Sequence, residues 1–67
     1  MPYVRVEMIE GRSEKQKAEL ARRITTAMVE CADASGESVF VVFEDVKVEN
    51  WAVGGTLISE RKRATAK

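Results

Sequence analysis

Residues 3–16 read YVRVEMIEGRSEKQ, and midway through this segment the pattern changes from that of a strand to that of a helix. Over residues 3–9, apolar and mostly polar side chains alternate, which is typical of a strand with one buried face. The apolar members of this alternation are Val4, Val6 and Met8. Ser13 and Gln16 have the spacing of a capping box, which predicts a helix that begins at Glu14.

The predicted helix carries apolar residues at spacings of three and four, which indicates one stripe that faces a core. The stripe consists of Ala18, Leu20, Ala21, Ile24, Ala27, Met28 and Cys31. Because Cys31 belongs to the stripe, we expect a buried, unreactive thiol rather than a nucleophile. Gly36 is expected to end the helix by adopting a left-handed conformation.

Further β segments follow the helix. Residues 39–43 read VFVVF, a β-branched and aromatic run that predicts a strand covered on both faces. Strand, helix and strand make a βαβ unit, which is expected to be right-handed with parallel strands. Residues 51–58 read WAVGGTLI and predict a hairpin around the two glycines. The polar and basic residues 59–67 are expected to form a flexible tail, so residues 1–67 form one α+β domain.

The shortness of the chain limits the stability that a single copy can reach. A globule of 67 residues buries only about 60% of its unfolded surface, and small folds compensate with disulfides, metals or self-association. One cysteine cannot form an internal disulfide, and the absence of histidine removes the usual metal ligand. We therefore expect a homo-oligomer, joined through the open sheet edges and the hairpin.

Composition also excludes several kinds of partner. The 11 basic and 11 acidic residues balance, so no net field favours nucleic acid or an anionic membrane. No apolar run approaches the ~20 residues of a membrane span, and the N-terminus lacks the pattern of a secretory signal. With a single cysteine, these features favour the reducing cytoplasm.

The candidate chemistry lies at the N-terminus. Without histidine there is no Ser-His-Asp or Cys-His arrangement, and no glycine-rich phosphate loop is present. Removal of Met1 would expose the secondary amine of Pro2. An ordinary α-amino group has a pKa of about 8. An apolar pocket or nearby arginines would lower the pKa of this amine towards neutrality and allow it to move protons. The alternative is that Pro2 merely starts a strand.

Two other residues are candidates for substrate contact. Arg12 lies between the first strand and the helix, where it could bind a carboxylate or simply be solvated. Trp51, beside the glycine turn, could form the wall of a substrate pocket or be buried in an interface. For Arg5, Arg23 and the basic run at residues 61–63, the solvated interpretation is favoured.

Three segments together resemble the 4-oxalocrotonate tautomerase family: MPYV at residues 1–4, IEGRS at 9–13 and WAVGG at 51–55. The resemblance extends from Pro2 to about Arg61 without a gap. It implies a βαβ subunit of the tautomerase fold, usually assembled as a hexamer of dimers. It also implies a cofactor-free enol–keto isomerase, in which Pro2 takes a proton from a 2-hydroxy-dienoate and returns it to carbon.

The same resemblance implies roles for individual residues. Arg12 would bind the substrate carboxylate and withdraw electrons, while Trp51 and Ile9 would form the apolar part of the pocket. Family members that act on the dicarboxylate 2-hydroxymuconate carry a second arginine at the position of Phe40. Phe40 therefore favours a simpler enol such as phenylenolpyruvate, as in a subgroup that has an apolar residue there. The alternatives are a non-catalytic assembly protein on this fold and one subunit of a heteromeric enzyme.

Overall fold

The computed structural model describes residues 2–65 of the chain, and side chains within residues 2–61. Strand β1 is Tyr3–Ile9, helix α1 is Glu14–Ala32 and strand β2 is Phe40–Val46. The short strands β3 (Ala52–Val53) and β4 (Thr56–Leu57) precede helix α2 (Ile58–Thr65). Two 3-10 turns, Gly36–Ser38 and Val48–Asn50, flank β2.

Strands β1 and β2 form a parallel sheet, which confirms the predicted βαβ unit. Tyr3 pairs with Phe40 at one end of the sheet, and Ile9 pairs with Val46 at the other. Backbone hydrogen bonds extend the ladder past both ends: Phe40 N donates to Pro2 O at 2.9 Å, and Glu10 N donates to Val46 O at 2.9 Å.

Helix α1 begins as predicted but ends differently. The Ser13 hydroxyl accepts from the Gln16 N–H at 3.1 Å, and the Gln16 side chain accepts from the Ser13 N–H at 2.8 Å. The left-handed residue at the other end is Asp33, with φ 57°, and not Gly36. The prediction for Gly36 is wrong because the N–H groups of Asp33 and Ala34 already bond to Met28 O, and aspartate tolerates the left-handed region.

One side of α1 packs on the sheet, principally on β2. Leu20, Ala21, Ile24 and Met28 are partly buried there, and Lys17 Nζ lies 2.6 Å from Asp45 Oδ2. Cys31 is exposed, so the predicted burial of its thiol is wrong for this chain. The 19 residues of α1 extend about 28 Å, whereas seven-residue strands extend about 23 Å. The last turn of the helix therefore has less sheet beneath it.

The predicted hairpin is confirmed, and a helix follows it. Gly54 and Gly55 have φ 60° and 86°, the paired positive values of a tight hairpin turn. The sequence predicts no helix or strand after residue 58, whereas α2 extends from Ile58 to Thr65. The Glu60 carboxylate accepts from the Leu57 N–H at 3.1 Å and so stabilises the first turn. The flexibility of residues 59–67 stays a prediction, and residues 66–67 lie outside the described part.

No side chain within residues 2–61 is buried in the single chain. The sheet face opposite α1 exposes Tyr3 by 59%, Phe40 by 49% and Val42 by 38%. With this much exposed apolar surface and no buried side chain in the described part, the single chain gains little stabilisation from the hydrophobic effect. Over the described residues, no helix is both long and apolar enough to cross a membrane.

Candidate active site

The candidate residues lie in two groups at opposite ends of the sheet. Pro2 and Phe40 lie together at the amino ends of β1 and β2, joined by the bond from Phe40 N to Pro2 O. Pro2 is partly buried there, whereas Phe40 is about half exposed. A proline at this position leaves the strand ladder intact because its missing N–H would precede the first paired residue.

Arg12 is held at the carboxyl end of β1. Gly11 has φ 130°, a value that side chains disfavour, and this conformation turns the chain from β1 towards α1. Arg12 Nη1 then donates to Ile9 O at 2.8 Å. This bond uses one of the five N–H donors of the guanidinium, and the exposed side chain can present others to a carboxylate.

A cavity of about 390 Å³ lies at the same end of the sheet. Its lining residues are Glu7, Val46, Asn50, Trp51 and Ala52. Trp51 is partly buried, and its carbonyl accepts from Ile58 N at 2.8 Å, which connects the cavity wall to α2. The pairing of Ile9 with Val46 places Ile9 beside this cavity.

Sequence reasoning did not select Glu7, Val46 or Asn50 as pocket residues. Glu7 belongs to an ordinary strand alternation, and Val46 lies beyond the predicted end of the second strand. The signal that could have identified Val46 is the parallel register itself, because a strand extended to residue 46 must end beside Ile9. Asn50 ends a 3-10 turn in which its N–H donates to Lys47 O at 2.8 Å.

A second, larger cavity of about 590 Å³ lies on the surface of α1, between Ser13 and Arg23. None of the candidate residues lines it. Glu19, in its wall, forms ion pairs with Arg22 and with Arg23, the latter at 2.8 Å. The lining is nevertheless basic, since Glu19 is its one acidic residue and Lys15 is basic as well as the two arginines.

The single chain does not bring Pro2 and Arg12 together. They lie beyond opposite ends of β1, a strand of seven residues that extends about 23 Å. A small substrate that touches Pro2 therefore cannot reach Arg12 of the same chain. One chain therefore holds the two groups of candidate residues apart.

The chain is a βαβ unit with a proline immediately before β1, an arginine after it, and a cavity lined by a tryptophan beside the end of β1. This is the architecture, with the candidate site, of a tautomerase. The family model described as "Tautomerase enzyme" matches residues 2–61, so the chain belongs to the tautomerase family. It is an isomerase of the tautomerase class, and the resemblance to 4-oxalocrotonate tautomerases is confirmed.

Individual relatives agree with this assignment. A protein of Bacillus cereus named a probable tautomerase is 43% identical over 61 residues, covering 91% of this chain and 100% of the relative. The 2-hydroxymuconate tautomerase of Comamonas testosteroni is 40% identical over 63 residues, covering 94% of this chain and 100% of the relative. A solved heterohexameric 4-oxalocrotonate tautomerase from Chloroflexus aurantiacus superimposes with a TM-score of 0.85 at 38% identity, covering 90% of this chain and 97% of that chain.

Proposed function

We propose that this tautomerase interconverts enol and keto forms of small 2-hydroxy-dienoates or enolpyruvates, without a cofactor, and uses Pro2 as its acid and base. The supporting observation is the placement of Pro2 directly before β1, where Phe40 N holds its carbonyl at 2.9 Å. This hydrogen bond fixes the proline at the amino end of the two strands. Once Met1 is removed, the secondary amine becomes available for proton transfer.

The proposed reaction is a proton transfer in two steps. The neutral Pro2 nitrogen accepts the proton of the substrate 2-hydroxyl, and the O–H electron pair becomes the C=O double bond. The electrons of the neighbouring C=C bond move to carbon three, or through the diene to carbon five. The protonated Pro2 then returns its proton to that carbon. Positioned acid–base catalysis of this kind contributes about 10²–10⁴-fold.

Arg12 and the apolar residues have separate tasks in this proposal. Arg12 binds the carboxylate and stabilises the negative charge that develops on the enolate. Ile9, Trp51 and Phe40 exclude water, which lowers the pKa of the Pro2 amine because the ammonium form is poorly solvated among apolar groups. Phe40 offers no charge to a second carboxylate, so a monocarboxylate with an apolar or aromatic tail is the favoured substrate.

Self-association completes the proposal. A second copy must supply Ile9, Arg12 and Trp51 to the Pro2 of the first, since one chain keeps them a strand length apart. The exposed Tyr3, Phe40 and Val42 provide apolar surface for such contacts, and we favour the homohexamer that the family resemblance implies. The Chloroflexus aurantiacus relative is a heterohexamer, so a mixed assembly is the competing arrangement. The cytoplasmic location stays a prediction.

The test of the mechanism is to remove the amine in two ways. Pro2→Ala, and a form that retains Met1 as verified by intact mass, are assayed for ketonisation of phenylenolpyruvate and 2-hydroxymuconate. Both are expected to lose activity by about 10²-fold or more, while Cys31→Ser, a conservative change at an exposed position of α1, keeps it. Full activity in both N-terminal variants would refute the role of Pro2. No turnover by a chain with a verified free proline would support the non-catalytic alternative.

Mixing tests whether the site is shared between copies. The Pro2→Ala chain and the Arg12→Ala chain are each expected to be nearly inactive. The experiment refolds the two chains together in equal amounts. Random pairing in symmetric dimers would restore about a quarter of wild-type activity, because half of the dimers are mixed and each contains one intact site. A mixture as inactive as its components would contradict a site shared in this way.

A further inference from the structure

Helix α1 presents a charged side chain to the sheet at the start of its packed face. Lys17 precedes Leu20, Ala21 and Ile24 at the spacing of a single helical face, and all four residues are partly buried. The Lys17 side chain is 25% exposed, whereas that of Arg23 on the same helix is 79% exposed. A lysine at such a position loses part of its hydration, so its ammonium group requires a partner in the protein.

The partner of Lys17 is Asp45, near the end of β2. Lys17 Nζ lies 2.6 Å from Asp45 Oδ2. Asp45 follows Val41 and Phe43 at alternate positions of the strand, so its side chain lies on the sheet face that carries α1. The ion pair therefore connects the helix to the sheet at one end of the interface between them.

The segment that carries Arg12 is tied to β2 on both sides of this arginine. Before Arg12, Glu10 N donates to Val46 O at 2.9 Å. After Arg12, the Lys17 ammonium binds Asp45, which is the neighbour of Val46 in β2. Two adjacent residues of one strand thus hold both ends of the turn between β1 and α1. Val46 also lines the cavity of about 390 Å³, so the same anchor relates the turn to that cavity.

The ion pair contributes more to geometry than to stability. At side-chain exposures of 25% and 42%, the loss of hydration and of side-chain freedom offsets most of the attraction between Lys17 and Asp45. Apolar packing between a helix and a sheet is not directional, whereas a charge-assisted hydrogen bond has a defined length and direction. The pair therefore fixes where the first turns of α1 lie relative to the end of β2.

We propose that the ion pair between Lys17 and Asp45 positions the Arg12 guanidinium against this cavity, and thereby sets the affinity for a substrate carboxylate. The proposal rests on the proposed function, in which Arg12 binds that carboxylate. Lys17 and Asp45 are positioning residues, because they act through Arg12 and do not touch the substrate. A misplacement of about 1 Å in a site of this kind can cost about 10²-fold in rate, so a modest shift of the turn is sufficient.

Ligand binding to the assembled full chain, with Met1 removed, tests the proposal. Trp51 is the only tryptophan of the chain and lines the cavity, so its fluorescence reports occupancy without any turnover. The probes are 3-phenylpropionate and its neutral amide. Lys17→Met and Asp45→Asn should each raise the Kd of the carboxylate by about threefold to tenfold, and change that of the amide much less. Lys17→Arg can still bind Asp45 and should keep a nearly wild-type Kd.

Arg23→Met is the matched control for the loss of an ion pair. Arg23 Nε lies 2.8 Å from Glu19 Oε2, a distance similar to that of the Lys17 pair, but both partners belong to α1. Its removal should leave the Kd of both probes unchanged. An unchanged Kd of the carboxylate in Lys17→Met and Asp45→Asn would overturn the proposal. So would an equal loss of affinity for the carboxylate and the amide, which indicates a general loss of structure.

An apolar replacement of the whole pair separates positioning from stability. Lys17→Met combined with Asp45→Leu leaves no unpaired charge, so the midpoint of urea unfolding should be nearly that of the wild type. The Kd of 3-phenylpropionate should nevertheless stay raised by about threefold to tenfold. A stable apolar variant with wild-type affinity would refute the proposal, and the isosteric Asp45→Asn remains informative if this variant folds poorly.

A second cycle asks whether Lys17 acts through Arg12. Arg12→Ala alone should raise the Kd of 3-phenylpropionate about tenfold or more, and Lys17→Met should add nothing in that background. A further rise would overturn the proposal. If Arg12→Ala weakens binding while the variants of Lys17 and Asp45 do not, this inference alone fails. If Arg12→Ala leaves the Kd unchanged, the proposed role of Arg12 fails, and the inference fails with it.

Discussion

Phe40 is the residue at which this site departs most from the dicarboxylate pattern described above. Its backbone N–H binds Pro2 O, and its side chain is 49% exposed in the single chain. The proposed catalytic amine and Phe40 therefore lie at the same end of the sheet. A change at position 40 should alter which substrate is accepted, and leave the proton transfer itself in place.

Phe40→Arg is expected to shift preference towards 2-hydroxymuconate. A guanidinium beside Pro2 could bind the second carboxylate, and a hydrogen bond to a charged group contributes about 1.5–3 kcal/mol. The ratio of kcat/KM for 2-hydroxymuconate to that for phenylenolpyruvate should rise by about 10- to 100-fold. Phe40→Leu is the matched control, since it removes the ring without adding charge and should leave the ratio nearly unchanged. An unchanged ratio in Phe40→Arg would place Phe40 outside the substrate pocket.

At the scale of single elements, the start of α1 shows how local chemistry sets a boundary. Both hydrogen bonds of the capping box are present between Ser13 and Gln16. They fix the first turn of α1 directly after Arg12, so the cap stabilises the segment that carries this candidate residue as well as the helix.

Ser13→Ala should lower the free energy of unfolding by about 1 kcal/mol, because an N–H in the first turn loses its acceptor. Ser35→Ala provides the matched control: Ser35 precedes a 3-10 turn but its side chain makes no capping bond, so little change is expected. Urea unfolding at one fixed protein concentration measures both. Equal effects of the two substitutions would contradict the importance of the cap.

Helix α2 shows where element prediction failed. Its sequence is polar and basic, without an apolar stripe, so periodicity offered no signal. The usable signal was Glu60, three residues after Leu57, whose carboxylate accepts from the Leu57 N–H. Such a cap, in which a side chain accepts from the N–H of an earlier residue, is easily overlooked when no apolar run follows it in the sequence.

At the scale of the whole molecule, the absence of any buried side chain within residues 2–61 makes stability depend on association. Burial that is missing in one chain must come from its neighbours.

The midpoint of thermal unfolding should therefore rise with protein concentration, since association with other copies stabilises only the folded chain. Far-UV circular dichroism over a hundredfold range of concentration measures this dependence. The helical signal should also fall on dilution below the dissociation constant. A midpoint independent of concentration, together with a monomeric mass, would show that the chain is stable alone.

The sequence by itself determined the features that short-range physics controls. The alternation in β1, the capping box at Ser13 and the glycine pair at residues 54–55 each act within a few residues, so reading them required no knowledge of distant contacts. Motifs at family spacing likewise identified Pro2, Arg12 and Trp51 as candidates.

Tertiary structure decided what depends on distance and on neighbours. The left-handed residue is Asp33 because the backbone N–H groups there can bond to Met28 O, and Cys31 is exposed although it belongs to the apolar stripe. Pro2 and Arg12 lie at opposite ends of one extended strand, a separation that only the folded chain reveals. An extended β1 keeps the two groups apart, which is the physical reason for the proposal that a second molecule completes the site.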